Sequence, residues 1–157
     1  MAIQLSELLS PERVICDNKS LSKTAALSKI CQLFKASLGR IDEKELFDSY
    51  LNRERLGSTA IGQGIAIPHI KYDMVDTPIA CLTKLAKPIE FGAQDQKPVD
   101  ILIALLAPND QQQQHLNLLA NIAQLFSCDI YRKRLRAANS DQELYHSLYS
   151  YEAQLTA

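Results

Sequence analysis

The sequence predicts an α/β domain in which a mixed β-sheet carries helices packed on both of its faces. Three observations lead there. Apolar residues recur at helical spacing early and late in the chain, and short strand-like runs lie between them. The run Val99 to Leu106 is almost continuously apolar, as suits a strand covered on both faces. Strands and helices are partly segregated along the chain, which favours a mixed sheet over a fully parallel one. A length of 157 residues fits one domain, 1–157, and no repeat, linker or composition boundary divides it.

The elements follow in order. Val14-Ile-Cys16 reads as a short strand. Ser20 or Ser22 caps a first helix whose Leu27, Ile30, Cys31, Phe34 and Leu38 share a face, and Gly39 stops it. Asp42 and Glu45 have capping-box spacing and open a second helix. It carries Leu46, Phe47, Tyr50 and Leu51 and runs into Asn52-Arg-Glu-Arg-Leu56. Gly57, Gly62 and Gly64 then crowd a turn-rich segment that leads to Ile65-Ala-Ile67, a short strand broken by Pro68. Strands are expected at Pro78 to Leu85 and at Val99 to Leu106.

After Pro108-Asn-Asp110 the helical pattern returns. Leu118, Leu119, Ile122, Leu125 and Phe126 make one broad apolar face. A shorter helix starts near Asp129, with Ile130, Leu135 and the basic residues Arg132, Lys133, Arg134 and Arg136. Ser140-Asp-Gln-Glu143 is a capping box for a last helix with Leu144 and Leu148. The polar run Gln111 to Gln114 is too short to count as low complexity.

Composition excludes some classes of function. Lys and Arg number 17 against 18 Asp and Glu, so no overall field attracts nucleic acid or an anionic membrane. The first residues lack a basic segment followed by an apolar run, and Val99 to Ala107 is far too short to span a bilayer. A cytoplasmic protein with no membrane insertion is expected. Cys16, Cys31, Cys81 and Cys128 are widely spaced with no C-x-x-C pair, so all four are expected to be small buried apolar residues. No metal and no cofactor is expected.

Histidine is scarce: His69, His115 and His146. His69 follows Pro68 at the expected end of a strand, after the glycine-rich segment. Proline restricts the chain and presents the next side chain in a fixed direction, and strand ends bearing loops commonly carry chemistry. On these grounds alone the placement is only suggestive.

The wording of the segment is more specific. Arg53-Glu-Arg-Leu-Gly-Ser-Thr59, followed by Gly62-Gln-Gly-Ile-Ala-Ile-Pro-His69, closely resembles the phosphorylation region of fructose/mannitol-type enzyme IIA domains. These belong to the bacterial phosphoenolpyruvate-dependent phosphotransferase system. The likeness continues through Lys97-Pro-Val-Asp100, Asp110, His115-Leu116, Arg134-Leu-Arg-Ala-Ala138 and Ser140-Asp-Gln-Glu-Leu144. Leu56-Gly-Ser-Thr59 and the Arg-Leu-Arg-Ala-Ala stretch are most similar to the free-standing nitrogen-regulatory branch.

The resemblance implies the enzyme IIA mannitol/fructose-type fold, and a catalytic set of His69, His115 and Arg53. His69 would accept a phosphoryl group from an HPr-like carrier. A neutral imidazole is a competent nucleophile near pH 7, and transfer through a loose in-line transition state asks mainly for positioning and charge stabilisation. His115 matches the second active-site histidine; read on its own it is a surface histidine after a glutamine run. Arg53 matches the active-site arginine, whose planar fork suits phosphoryl oxygens, although Arg55 stands close enough to be confused with it. Ser58 and Thr59 are either phosphoryl donors or turn residues, Lys71 adds positive potential, and His146 is a surface residue. Ile70 departs from the small residue common after the histidine, and would narrow the approach or touch a docking carrier. Ala60 and Gln63 fall at variable loop positions.

Three functional readings share these residues. The first is a regulatory phosphocarrier of the nitrogen phosphotransferase system, whose phosphorylation state selects partners such as potassium-transport or sensor-kinase proteins. The second is a sugar-specific enzyme IIA relaying phosphate to a IIB domain, and the third a binding module that has lost phosphotransfer. A metal site on His69 and His115 lacks further ligands nearby in sequence.

Overall fold

The computed structural model describes residues 4–110 and 112–156; Met1 to Ile3, Gln111 at the head of the glutamine run, and Ala157 lie outside the described residues. In chain order the elements are α1 (Leu5–Leu8), a 3-10 turn (Pro11–Arg13), β1 (Val14–Asn18), α2 (Lys23–Leu38) and α3 (Glu43–Arg55). The short strands β2 (Ala60–Gly62), β3 (Ile65–Ala66) and β4 (His69–Lys71) follow, then the long β5 (Ile79–Ile89) and β6 (Val99–Ala107). Three helices close the chain: α4 (Gln112–Phe126), α5 (Asp129–Arg136) and α6 (Asp141–Thr156).

The sheet is mixed, as expected, in the order β1-β5-β6-β3-β2, with β4 also on β6. β5 is antiparallel to β6, and β1 is parallel to β5. β3 and β4 both lie parallel to β6 on its other side, one after the other. Alternation along β6 divides the core in two. Ile101, Ile103 and Leu105 pack with Leu118, Ile122 and Phe126 of α4. Leu102, Ala104 and Leu106 pack with Leu27, Ile30 and Phe34 of α2 and with Leu46 and Tyr50 of α3. The fully buried Tyr50 donates its hydroxyl to the Leu105 carbonyl at 2.8 Å, tying α3 to the strand that supports the site.

Local chemistry sets the boundaries. Ser22, not Ser20, caps α2, accepting the Ala25 N–H at 3.1 Å; the Ser20 hydroxyl donates instead to Asn18. Asp42 accepts the N–H groups of Lys44 and Glu45, but its own N–H goes to the Tyr72 hydroxyl, so the box there is half made. At α6 the Glu143 N–H reaches Ser140 Oγ, and the Glu143 carboxylate turns back to the Asn139 N–H. Cys16, Cys31 and Cys81 are buried, and burial pushes the Cys31 thiol up to about 12. Cys128 departs from expectation: it is half-buried at the head of α5, with Sγ 2.7 Å from the Tyr151 hydroxyl.

The segment before His69 also differs from expectation. Pro68 does break a strand, but pairing with β6 resumes at once, so His69 opens β4 instead of ending β3. Its register partner on β6 is Leu105, whose N–H donates to the Pro68 carbonyl at 2.8 Å. Proline offers no N–H, yet its carbonyl keeps the ladder intact.

Candidate functional site

His69 is presented by this interrupted edge. Its Nδ1 lies 2.7 Å from the Ile67 carbonyl. A carbonyl only accepts, so the neutral ring holds its proton on Nδ1 and its lone pair on Nε2. Burial is the largest influence on its titration and holds it below the ordinary imidazole value; the bond to Ile67 opposes that, and the Arg53 charge adds to it.

His115, near the start of α4, faces this ring with centroids 5.5 Å apart and planes tilted by 51°. It is 7% exposed, not a surface histidine, and its buried Nδ1 has no hydrogen-bond partner among the described residues. Burial, then the neighbouring His69 and Lys71, lower its proton affinity. An unpaired buried donor or acceptor costs free energy, and here it sits at the edge of an open groove.

That groove has a volume of about 580 Å³, and Arg53, His69, Lys71 and His115 line it together with the apolar Leu56 and Leu116. Arg53 lies in the last turn of α3, half-buried, and its Nη1 donates to the Gly57 carbonyl at 2.9 Å. Arg55 is exposed, donates to Asn52, and does not line the groove. Geometry therefore separates two arginines that the sequence left confusable.

Ser58 and Thr59 spend their hydroxyls elsewhere: Ser58 on the Phe91 carbonyl at 2.7 Å, Thr59 on the Glu54 carboxylate. Both act in the loop's own bonding. Ile70 is 7% exposed and packs into the α2–α3 side of the core, since alternation turns it away from His69. It still contributes to the lining of the groove that holds His69. Ala60 opens β2, and the Gln63 carbonyl accepts from Arg136. His146 is exposed on α6, with Nε2 3.2 Å from the Ser150 hydroxyl. Sequence reasoning missed Glu54 and the exposed rim made by Leu56 (85%) and Leu116 (53%). Among the described residues no helix is long and apolar enough to cross a membrane.

The family model described as "Phosphoenolpyruvate-dependent sugar phosphotransferase system, EIIA 2" matches residues 7–151. The chain belongs to this EIIA family. This EIIA chain is 42% identical over 146 residues to the nitrogen regulatory protein of Klebsiella oxytoca, covering 92% of this chain and 89% of that one. The crystal structure of nitrogen regulatory protein IIA-Ntr from Neisseria meningitidis superposes with a TM-score of 0.83 at 30% identity, over 91% of this chain and 97% of that one. The IIA mannitol structure from Escherichia coli gives 0.74 at 20% identity, over 89% and 98%, and shares the fold. The EIIA family is a component of a phosphotransferase system.

The depressed proton affinity of His69 has a measurable consequence. A free imidazole is half-protonated near pH 6.5, so the His69 ring should stay neutral as pH falls through that value and protonate only below it. Because the unfolded chain then binds protons that the folded chain refuses, stability should rise with pH between the folded midpoint and about 6.5. An NMR titration of the His69 Cε1–H checks this. A midpoint at or above 6.5 contradicts it.

Proposed function

We propose that this EIIA protein is a regulatory phosphocarrier of the nitrogen phosphotransferase system, which stores a phosphoryl group on His69 Nε2. The observation that carries the reading is the pair of histidines in the groove, with the His69 proton committed to the Ile67 carbonyl and Nε2 left as the nucleophile.

The donor is the phosphohistidine of a small HPr-like carrier. The lone pair on His69 Nε2 attacks phosphorus in line as the donor's P–N bond breaks, and the donor ring keeps that electron pair. When the donor enters as a protonated phosphoimidazole it leaves neutral. The positive charge appears on the His69 ring, where Nδ1–H still faces the Ile67 carbonyl. No proton has to leave during transfer.

Arg53 supplies N–H donors to the equatorial oxygens, and Lys71 adds positive potential. Burial holds the proton affinity of His115 below the ordinary imidazole value. A phosphoryl group brings roughly -1.5 to -2 charges, which raises that affinity and favours the charged, donating ring. The same charge, placed on a groove rimmed by Leu56 and Leu116, alters which proteins dock there. Regulatory targets such as potassium-transport or sensor-kinase proteins would read that difference.

Likeness to nitrogen regulatory proteins supports this branch over the sugar-transport one. A competition assay separates them: phosphoenolpyruvate and enzyme I are supplied with either the nitrogen-branch carrier or the sugar-branch HPr, then with a fructose-type IIB domain. Faster labelling by the nitrogen-branch carrier, with no onward transfer to IIB, is expected. Preference for sugar-branch HPr with rapid discharge to IIB overturns the regulatory reading and leaves the second one standing.

A further inference from the structure

Next to Arg53 on α3 is a buried carboxylate that the phosphoryl chemistry does not use. Glu54 is 8% exposed. Its oxygens accept the Thr59 N–H at 3.2 Å and the Thr59 hydroxyl, and they pair with Lys23 Nζ at 2.8 Å. Lys23 is itself held, donating to the Phe91 carbonyl at 3.2 Å and lying 4.6 Å over the Phe91 ring. Thr59, 5% exposed, is thus clamped by a charged group at both its N–H and its hydroxyl.

From Thr59 the bonding continues to the site. The Thr59 carbonyl accepts the Ile67 N–H at 3.0 Å, and the Ile67 carbonyl faces His69 Nδ1 at 2.7 Å. Ile67 precedes Pro68, which confines it to extended backbone. Once its N–H is anchored, little freedom remains in the direction of its carbonyl. That carbonyl is the group that holds the His69 proton on Nδ1. If it swings away, the imidazole can carry its proton on either nitrogen, and a proton on Nε2 occupies the lone pair needed for attack.

We propose that Glu54 is a positioning residue for the phosphoacceptor: acting through Thr59 and Ile67, it keeps the His69 proton on Nδ1 and the attacking lone pair on Nε2. The proposal rests on the reading of His69 as the acceptor. Glu54 does not touch the phosphoryl group in this scheme; besides its route through the backbone, its charge favours the protonated His69 ring through space, and Thr59→Val isolates the backbone route. Lys23 contributes by compensating the buried charge, which would otherwise be costly.

The test reads the tautomer directly, by ring-nitrogen NMR on the full-length 15N-labelled protein. In wild type, Nδ1 should be protonated and Nε2 bare. Glu54→Gln, which loses the charged pairing, and Thr59→Val, which loses only the hydroxyl, should both give a mixed tautomer signature. Their rate constant for phosphoryl acceptance should fall roughly tenfold, as misplacement of a reacting group allows, with the KM for the carrier unchanged. Thr59→Ser should restore both readouts. If the folded variants keep the wild-type signature and rate, or if KM alone moves, the proposal is overturned. Should Glu54→Gln fail to fold, Thr59→Val decides by itself. If wild type carries its phosphate somewhere other than His69, the acceptor reading fails, while the nitrogen signature still decides whether Glu54 positions the ring.

Discussion

Arg53→Ala should slow phosphoryl acceptance roughly a hundredfold, the usual effect of losing one preorganised charge-stabilising donor, and Arg55→Ala should change it by no more than about twofold. The two residues belong to the same turn of α3 and differ only in where the helix aims them. Arg53 lines the groove with His69 and His115, and its bond to the Gly57 carbonyl holds its fork there. Arg55 is exposed and bonded to Asn52. Arg53→Lys should recover only part of the loss, because an ammonium keeps the charge but not the planar fork. Stopped-flow labelling from the phosphorylated carrier gives these rates, with thermal midpoints recorded alongside. A larger loss from Arg55→Ala than from Arg53→Ala would contradict the placement.

Gly64→Ala should be more damaging than Ala at any other glycine of the chain. Gly64 is buried at φ +81°, and a Cβ there would stand 2.5 Å from Arg136 Nη2 and 2.9 Å from Asp100 Oδ1. Those two side chains are joined by bonds of 2.8 and 2.9 Å, and they lock α5 to the head of β6. The Gly64 carbonyl also accepts the N–H groups of Asp100 and Ile101 at 3.0 and 3.1 Å. The left-handed backbone costs about 1–2 kcal/mol for a residue with a Cβ, and displacing charged hydrogen bonds costs roughly 1–3 kcal/mol more. At this chain length the thermal midpoint should fall by about 5–15 °C. Gly39→Ala is the control: φ is +73° but nothing lies within 4 Å, so only the backbone cost applies. Equal midpoints for the two variants would show that Gly64 is not a packing constraint.

Much of the architecture was legible in the sequence because its signals are local. The near-unbroken apolar run at Val99 to Leu106 did mark a strand buried on both faces, and the Ser140–Glu143 spacing did mark a helix start. What was not legible depends on pairing at a distance. Two- and three-residue strands such as β3 and β4 exist because β6 lends them a ladder, and no window of their own sequence announces that. The capping box at Asp42 was half wrong because Tyr72, thirty residues away, takes the N–H that Glu45 was expected to take.

The site shows the same division. His69 drew notice as a Pro-His pair, but its tautomer follows from a carbonyl direction that only the folded loop defines. Burial of His115 was not legible from its own neighbourhood, because the preceding glutamines equally suit a solvated helix start; only the resemblance pointed to the site. Glu54 was passed over as part of a charged Arg-Glu-Arg run. One signal was available: Leu46, Tyr50 and Glu54 are spaced by four, so the helix period puts all three on one buried face.

The claim that most needs testing is that phosphate resides on Nε2 of His69. Labelling the 15N-histidine protein through phosphoenolpyruvate, enzyme I and the HPr-like carrier, and then measuring phosphorus–nitrogen coupling, locates it to the atom. One acid-labile phosphate coupled to His69 Nε2, absent from His69→Ala, is the predicted result. Phosphate on His115 or on His69 Nδ1, or undiminished label in His69→Ala, would contradict it.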